Sequence, residues 1–272
     1  MKKFMFSFLV LLFASGFVFA GGGAESDAPA QPYTISVGGS TSVTPLMEYF
    51  QAEYAKHRPN VRINISGTGS GDGITNAGIT YQIGMSSRDL TPAEQGRGLK
   101  AEVIALDGIA VIVNRSNAVL NLTIEQIQGI YTGSITNWNQ VGGRNATIAV
   151  VSREEGSGTR GAFEEIVRFQ GRLLARANQL TSTGAILANI AQNEDAIGYI
   201  SLGSVNDTVK ALSVGGVAAT TANVMSGAYR IARPFILLTG ANVHQESTSF
   251  IQWILSPAGQ TIVRSRGYIS PR

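Results

Sequence analysis

The hydrophobic positions fall into short β-branched runs that alternate with stretches of helical period. Residues 33–37 read as a buried strand, and the loop "GGSTSV" follows. Leu46, Tyr49, Phe50 and Tyr54 then recur at helical spacing. Thr44 is their expected N-cap, Pro45 opens the helix and Pro59 stops it. Residues 61–65 predict a second strand, which runs into the glycine loop "SGTGSGDGI". Thr91 and Glu94 have the spacing of a capping box. Residues 103–106 and 109–113 are apolar, strand-like runs. From about residue 114 the pattern restarts. It predicts a helix opened by Thr123 and Gln126, a strand over 148–151, and a helix faced by Phe163, Ile166 and Val167. A helix over 183–192 and a strand over 197–200 come next. A long extended run, 229–238, leads to two final helices, 249–255 and 257–265. Strands alternating with helices imply an α/β fold with mostly parallel sheets. Two such sets imply two lobes with a cleft between them, where ligands favour the carboxyl ends of strands.

The first 20 residues change the picture at one end. Lys2 and Lys3 precede an uncharged apolar run from Phe4 to Phe19, and Ala20 offers a small residue for cleavage. The run is shorter than a membrane span and leads into a Gly/Ala/Pro-rich linker, 21–32, so a cleavable export signal is expected. Losing the two lysines takes the 21 basic residues to 19 against 18 acidic ones, a net charge of +1. No Lys/Arg run of nucleic-acid type is present, so no nucleic-acid partner is expected. The chain has no cysteine. This excludes disulfides, thiol catalysis and a lipid-anchor cysteine. Two isolated histidines, His57 and His244, make no metal motif. Trp138 and Trp253 read as packing residues, and Arg88 with Asp89 as an ion pair at the cleft mouth or a solvated pair.

The candidate chemistry lies in three loops between predicted strands and helices: 38–43, 66–74 and 152–161. All are rich in Ser, Thr and Gly. A helix N-terminus offers unpaired N–H groups and a positive dipole end, and glycine admits close backbone approach. Such ends hold anions without a lysine. Any one loop alone reads first as capping and turn chemistry; three of one kind favour an anion. No G-x-x-x-x-G-K-[ST] occurs, "GTGSGDG" departs from G-x-G-x-x-G at Asp72, and neither Ser70 nor Ser157 sits in G-x-S-x-G.

The ordered segments "GGSTSVTPLMEYF", "GTGSGDGI", "IGMSSRDL", "IYTGSITNWNQVGG", "VSREEGSGTRGAF", "AIGYISLGSV", "YRIARPFILL" and "FIQWILSPAGQ" resemble the PstS-like phosphate-binding proteins of Pst ABC transporters. The resemblance covers nearly all of the chain after the linker. It implies a type II periplasmic-binding-protein fold, two α/β lobes joined by two crossovers. Lobe one is then 33–114 plus 228–272, and lobe two 115–227. It implies an extracytoplasmic, monomeric binder that captures inorganic phosphate and delivers it to a membrane permease, with no cofactor, no metal and no catalysis. By position, Thr41, Ser42, Ser70, Ser87, Arg153, Ser157, Gly158 and Thr159 become the phosphate contacts. Some members carry an aspartate in the segment "GMSSRD", where it accepts the phosphate proton; here Ser87 stands there. Asp72 and Glu155 are the remaining candidate acceptors. Glu155 reads first as the partner that orients the Arg153 guanidinium, and Asp72 is divided between contact and loop capping.

Rival readings stay open at this point. Another oxyanion, sulfate, molybdate or tungstate, could be the ligand. A phosphatase using Ser70 or Ser157 would need a base and metal-binding carboxylates, and no motif supplies them. An adhesin or phosphate-sensing role is a third.

Overall fold

Strand β1 (Tyr33–Gly39) and α1 (Thr44–His57) begin the fold, followed by β2 (Val61–Gly67), α2 (Ser70–Asn76), β3 (Ile83–Ser86), α3 (Pro92–Gln95) and β4 (Lys100–Asn114). The second stretch holds β5 (Asn121–Leu122), α4 (Ile124–Thr132), β6 (Ala149–Arg153), α5 (Gly158–Val167), β7 (Asn178–Leu180), α6 (Thr183–Gln192) and β8 (Ala196–Ser201). After β9 (Val209–Ala211), β10 (Ser213–Val214) and α7 (Thr221–Met225), the chain returns through β11 (Ala232–Thr239) and ends in α8 (Gln245–Leu255) and α9 (Pro257–Ser265). The computed structural model describes residues 32–271, so the expected signal and all but the last residue of the linker lie outside the described residues.

Strand order in the large sheet is β2-β1-β3-β11-β4-β8-β6-β7, with β9 also on β4. The two flanks are parallel, as the alternating pattern predicts. The middle is not. β11 runs antiparallel to both β3 and β4, and β4 runs antiparallel to β8. The two apolar runs expected over 103–106 and 109–113 are one strand of 15 residues. β4 pairs with β11 as far as Gly108 and with β8 from Ile109 onward, so a single strand passes between the two flanks.

Burial explains why. Ile104 and Ala105 enter a core built with β1, β2, β3, α1, α8 and α9. Further along, Ile109, Val111 and Val113 point into a second core with α4 and α5, while Ala110 and Ile112 face α6 on the opposite side. A strand covered on both faces has no polar side, which is why its sequence reads as a continuous apolar run.

Several predicted ends hold. Thr91 with Glu94 and Thr123 with Gln126 form complete capping boxes, and α6 spans the expected 183–192. Two ends differ. The α1 N-cap is Val43, not Thr44; Thr44 is already helical and its hydroxyl donates to the Ser40 carbonyl at 3.2 Å. Half of the glycine loop is helix, because Ser70 opens α2 directly after Gly69, whose φ of 99° turns the chain. Trp138 and Trp253 are packing residues, the former donating Nε1 to the Asp195 carbonyl at 3.0 Å. His244 caps α8 and stacks on Tyr33. Arg88 bonds the backbone carbonyl of Asp89, at 2.8 Å, and takes Glu94 as its ion-pair partner. It forks onto Glu94 at 2.7 and 2.8 Å, because α3 presents that carboxylate squarely to it.

Candidate anion site

The three Ser/Thr/Gly loops meet. Ser42 Oγ lies 2.9 Å from Thr159 Oγ1, which joins the first loop to the third. Ser87, in the turn after β3, joins the first to the second: its Oγ is 2.8 Å from Ser40 Oγ and 3.3 Å from Ser70 Oγ. The second and third loops touch through backbone, Gly71 N–H donating to the Gly156 carbonyl at 2.9 Å. Ser40, Ser42, Ser70, Ser87, Ser157 and Thr159 are all buried. Glycine is required at 158. A Cβ there would stand 2.3 Å from Ser70 Oγ and 2.9 Å from Ser87 Oγ.

Local structure aims these groups. β6 delivers the chain to Ser157, whose Oγ caps α5 by accepting from Arg160 N–H at 3.3 Å. The first turn of α5 therefore begins at Gly158 and Thr159, with N–H groups that helix geometry leaves unpaired. Behind it, Phe163 stacks on Tyr199 with ring centroids 4.1 Å apart. The Tyr199 hydroxyl lies 2.8 Å from Ser152 Oγ and accepts from Arg153 N–H at 3.3 Å, fixing the end of β6. Burial pushes that phenol up to about 12, so it stays a neutral hydrogen-bonding group.

A fourth segment joins the site that sequence reasoning passed over. Thr183, first residue of α6, has Oγ1 3.0 Å from Ser42 Oγ and 3.3 Å from Thr41 Oγ1, and its N–H donates to Thr41 Oγ1. The signal was present: "TSTG" at 181–184 follows a strand and precedes a helix, the pattern of the other three.

Two guanidiniums are buried here. Arg153 is 2% exposed, and its Nε and Nη2 each donate to Glu154 at 2.8 Å. Its expected partner was Glu155. That residue is exposed, while the side chain preceding it lies back along β6 against the fork. Arg153 also donates to the carbonyls of Leu180 and Thr181. The second is Arg233 of β11, 4% exposed. Its Nη1 donates to Thr159 Oγ1 at 2.7 Å and to the Ser87 carbonyl at 2.9 Å, and its Nη2 to Asp107 at 3.3 Å. An arginine before Pro234, in an apolar run that also holds Arg230, was its trace in the sequence. Asp72 is engaged elsewhere, accepting from Asn76 and from the Tyr81 hydroxyl at 2.7 and 2.8 Å. The Thr68 hydroxyl first, and then these two contacts, hold its carboxyl below the usual range against the effect of burial.

Hydroxyls, helix N-termini and two cations in a dry setting form a donor-rich site, the complement of a small oxyanion. Among the described residues no group of three or more His, Asp or Glu side chains is placed to hold a metal. A family model described as the PBP superfamily domain matches residues 23–258. A phosphate-binding protein PstS from Borreliella burgdorferi is 32% identical over 248 residues, covering 86% of this chain and 89% of that one. This chain belongs to the PstS-like binding proteins of the PBP superfamily.

Solved members of the family share the architecture. A phosphate ABC transporter substrate-binding protein from Clostridium perfringens, solved with bound phosphate, is 45% identical with a TM-score of 0.86. The match covers 88% of this chain and 100% of that one. An ABC-type phosphate transport receptor from Vibrio cholerae is 36% identical with a TM-score of 0.73, over 88% and 100% of the two chains. The fold is thus the type II periplasmic-binding-protein fold that the PstS-like resemblance implies.

Proposed function

We propose that this protein captures inorganic phosphate outside the cytoplasm and delivers it to the permease of an ABC importer, without catalysing a reaction. The observation that carries the reading is the meeting of Thr41, Ser42, Ser70, Ser87, Gly158, Thr159 and Thr183, with Ser157 capping the helix that bears Thr159 and the buried Arg153 on the strand that leads into that loop. In this reading the hydroxyls exchange their bonds to one another for bonds to phosphate oxygens. Ser, Thr and Arg supply donors from several directions, which replaces the water shell of a tetrahedral ion. Lobe one is residues 33–114 plus 228–272 and lobe two 115–227. The separate cores on the two flanks of the sheet support two lobes, with residues 109–113 packed into the cores of the second flank although they precede its expected start. Phosphate closes the lobes by making contacts to both at once. The protein acts as a monomer in this reading, and residues 1–20 serve as its export signal.

Discrimination against sulfate takes a particular form here. A carboxylate only accepts, so it rejects an anion that brings no proton. A serine hydroxyl accepts or donates by rotating. Ser87, buried between Ser40 and Ser70, then receives the phosphate O–H in this site. Asp72 remains a partner of Tyr81 and Asn76, and Glu155 remains a surface residue. The expected result is preference for phosphate over sulfate, but less strict than with a carboxylate at position 87. Calorimetric titration of the protein with each anion tests it, and replacing Ser87 by Asp should widen the gap. Tighter binding of sulfate than of phosphate would transfer the protein to another oxyanion.

A further inference from the structure

Arg233 and Asp107 are register partners on β11 and β4. They sit at the point where β4 leaves β11 and takes up β8, one residue before that switch. Both side chains are almost wholly buried. A buried ion pair stabilises a fold weakly compared with apolar packing, so its presence needs a reason beyond stability. Arg233 spans the two flanks of the sheet: the Ser87 carbonyl follows β3, and Thr159 belongs to α5. Thr159 Oγ1 is in turn the partner of Ser42 Oγ. The guanidinium is therefore one hydrogen bond from the centre of the hydroxyl cluster. It also has an unused donor, since Nε is buried with no partner. Burial and the like charge of Arg153 both work against the charged form, while Asp107 opposes them. An anion near both cations relieves that tension.

We propose that Arg233 is a second cation of the anion site, held ready by Asp107 as its positioning residue, so that ligand binding engages the two strands that cross between the lobes. This rests on the phosphate reading above. When phosphate enters, Arg233 Nη1 gives up Thr159 Oγ1 for a ligand oxygen, and Thr159 turns its hydroxyl to the same ion. The link to Asp107 stays, because it sets the direction of the fork.

The test is a double-substitution cycle read by calorimetry with inorganic phosphate and by ligand-free melting temperature. Wild type, Arg233→Gln, Asp107→Asn and the combined variant are compared. The combined variant keeps a neutral, hydrogen-bonding pair and should melt close to wild type. Its phosphate affinity should fall by about thirty-fold or more, in line with loss of one charge-assisted contact. Asp107→Asn alone leaves the site more positive, which by charge alone would tighten anion binding. We expect it to weaken binding about five-fold, and that effect to vanish in the Arg233→Gln background, the mark of coupled residues. A merely structural role for Asp107 would lower the melting temperature and act the same in either background. If the combined variant melts early, Arg233→Lys decides: it keeps the charge and loses the fork, and should bind about ten-fold more weakly. Wild-type affinity in the folded combined variant, or in Arg233→Lys, overturns the proposal and leaves the phosphate reading intact. No phosphate binding by wild type overturns both.

Discussion

Arg153, at the end of the strand that leads into the third loop, and Arg233, bonded to Thr159 of the hydroxyl cluster, are both buried, and they are held in opposite ways. Arg153 is paired with its sequence neighbour Glu154, whose side chain keeps 27% of its surface in solvent. Arg233 is paired across two strands with Asp107, which keeps 1%. Removing Arg153 leaves a carboxylate that water can reach. Removing Arg233 leaves one that water cannot. The first arginine can thus be devoted to a ligand at less cost to the fold than the second, which is tied to the junction of β4, β8 and β11.

That contrast can be broken by substitution. Arg233→Ala should be the most damaging single change, because an unpaired buried charge costs about 3–5 kcal/mol. Chemical unfolding should register that loss, and an unaltered midpoint would remove the distinction. Arg153→Ala should move the midpoint less, because the Glu154 carboxylate it leaves behind stays within reach of water. Its effect belongs in phosphate affinity, a drop of roughly a hundred-fold for loss of a bidentate, charge-assisted contact. Gly158→Ala comes next. The added carbon would press on Ser70 and Ser87, and overpacking of this kind costs about 1–3 kcal/mol. Where the lobes can part to relieve it, the cost falls on binding, so affinity should weaken about ten-fold or more with melting nearly unchanged. Thr183→Val removes two hydroxyl contacts and keeps the volume; about five-fold weaker binding is expected.

The smallest effect is in the pH dependence of stability, where two carboxylates pull in opposite directions. Burial pushes Asp107 up to about 6, against the attraction of Arg233. Its folded value exceeds its unfolded one. The stability it contributes is complete below the ordinary carboxylate range and is lost as pH rises through about 6. Glu94 is held at about 2 by the Arg88 fork and the α3 capping box. Its contribution is present above the ordinary range and is lost as pH falls toward 2. Urea midpoints of Asp107→Asn and Glu94→Gln across acidic pH should each lack one of these slopes. Identical profiles would show that neither carboxyl is perturbed as its surroundings imply.

The comparison also explains which parts of the site were legible in the sequence. Local grammar carries the first arginine. Arg153 stands at a strand end before "GSGT", and its surroundings can be read within a dozen residues. Capping boxes at Thr91 and Thr123, and the extent of α6, are local in the same sense. Arg233 and Asp107 are 126 residues apart, and their pairing depends on the register of β11 against β4. No periodicity announces an antiparallel crossing in a pattern that otherwise predicts parallel strands. The exchange of Glu155 for Glu154 is a smaller lesson of the same kind. Neighbouring carboxylates look alike in sequence, and only the direction of the chain leaving β6 decides which one meets the guanidinium. Thr183 belonged to local grammar and was legible, being a fourth instance of the loop pattern.

Calorimetry of wild type beside Arg153→Ala, with inorganic phosphate as titrant, tests the account most directly. The expected result is one saturable site in wild type and an isotherm at least about a hundred-fold weaker in the folded variant. Equal isotherms, or no heat and no thermal protection by phosphate in wild type, would contradict it.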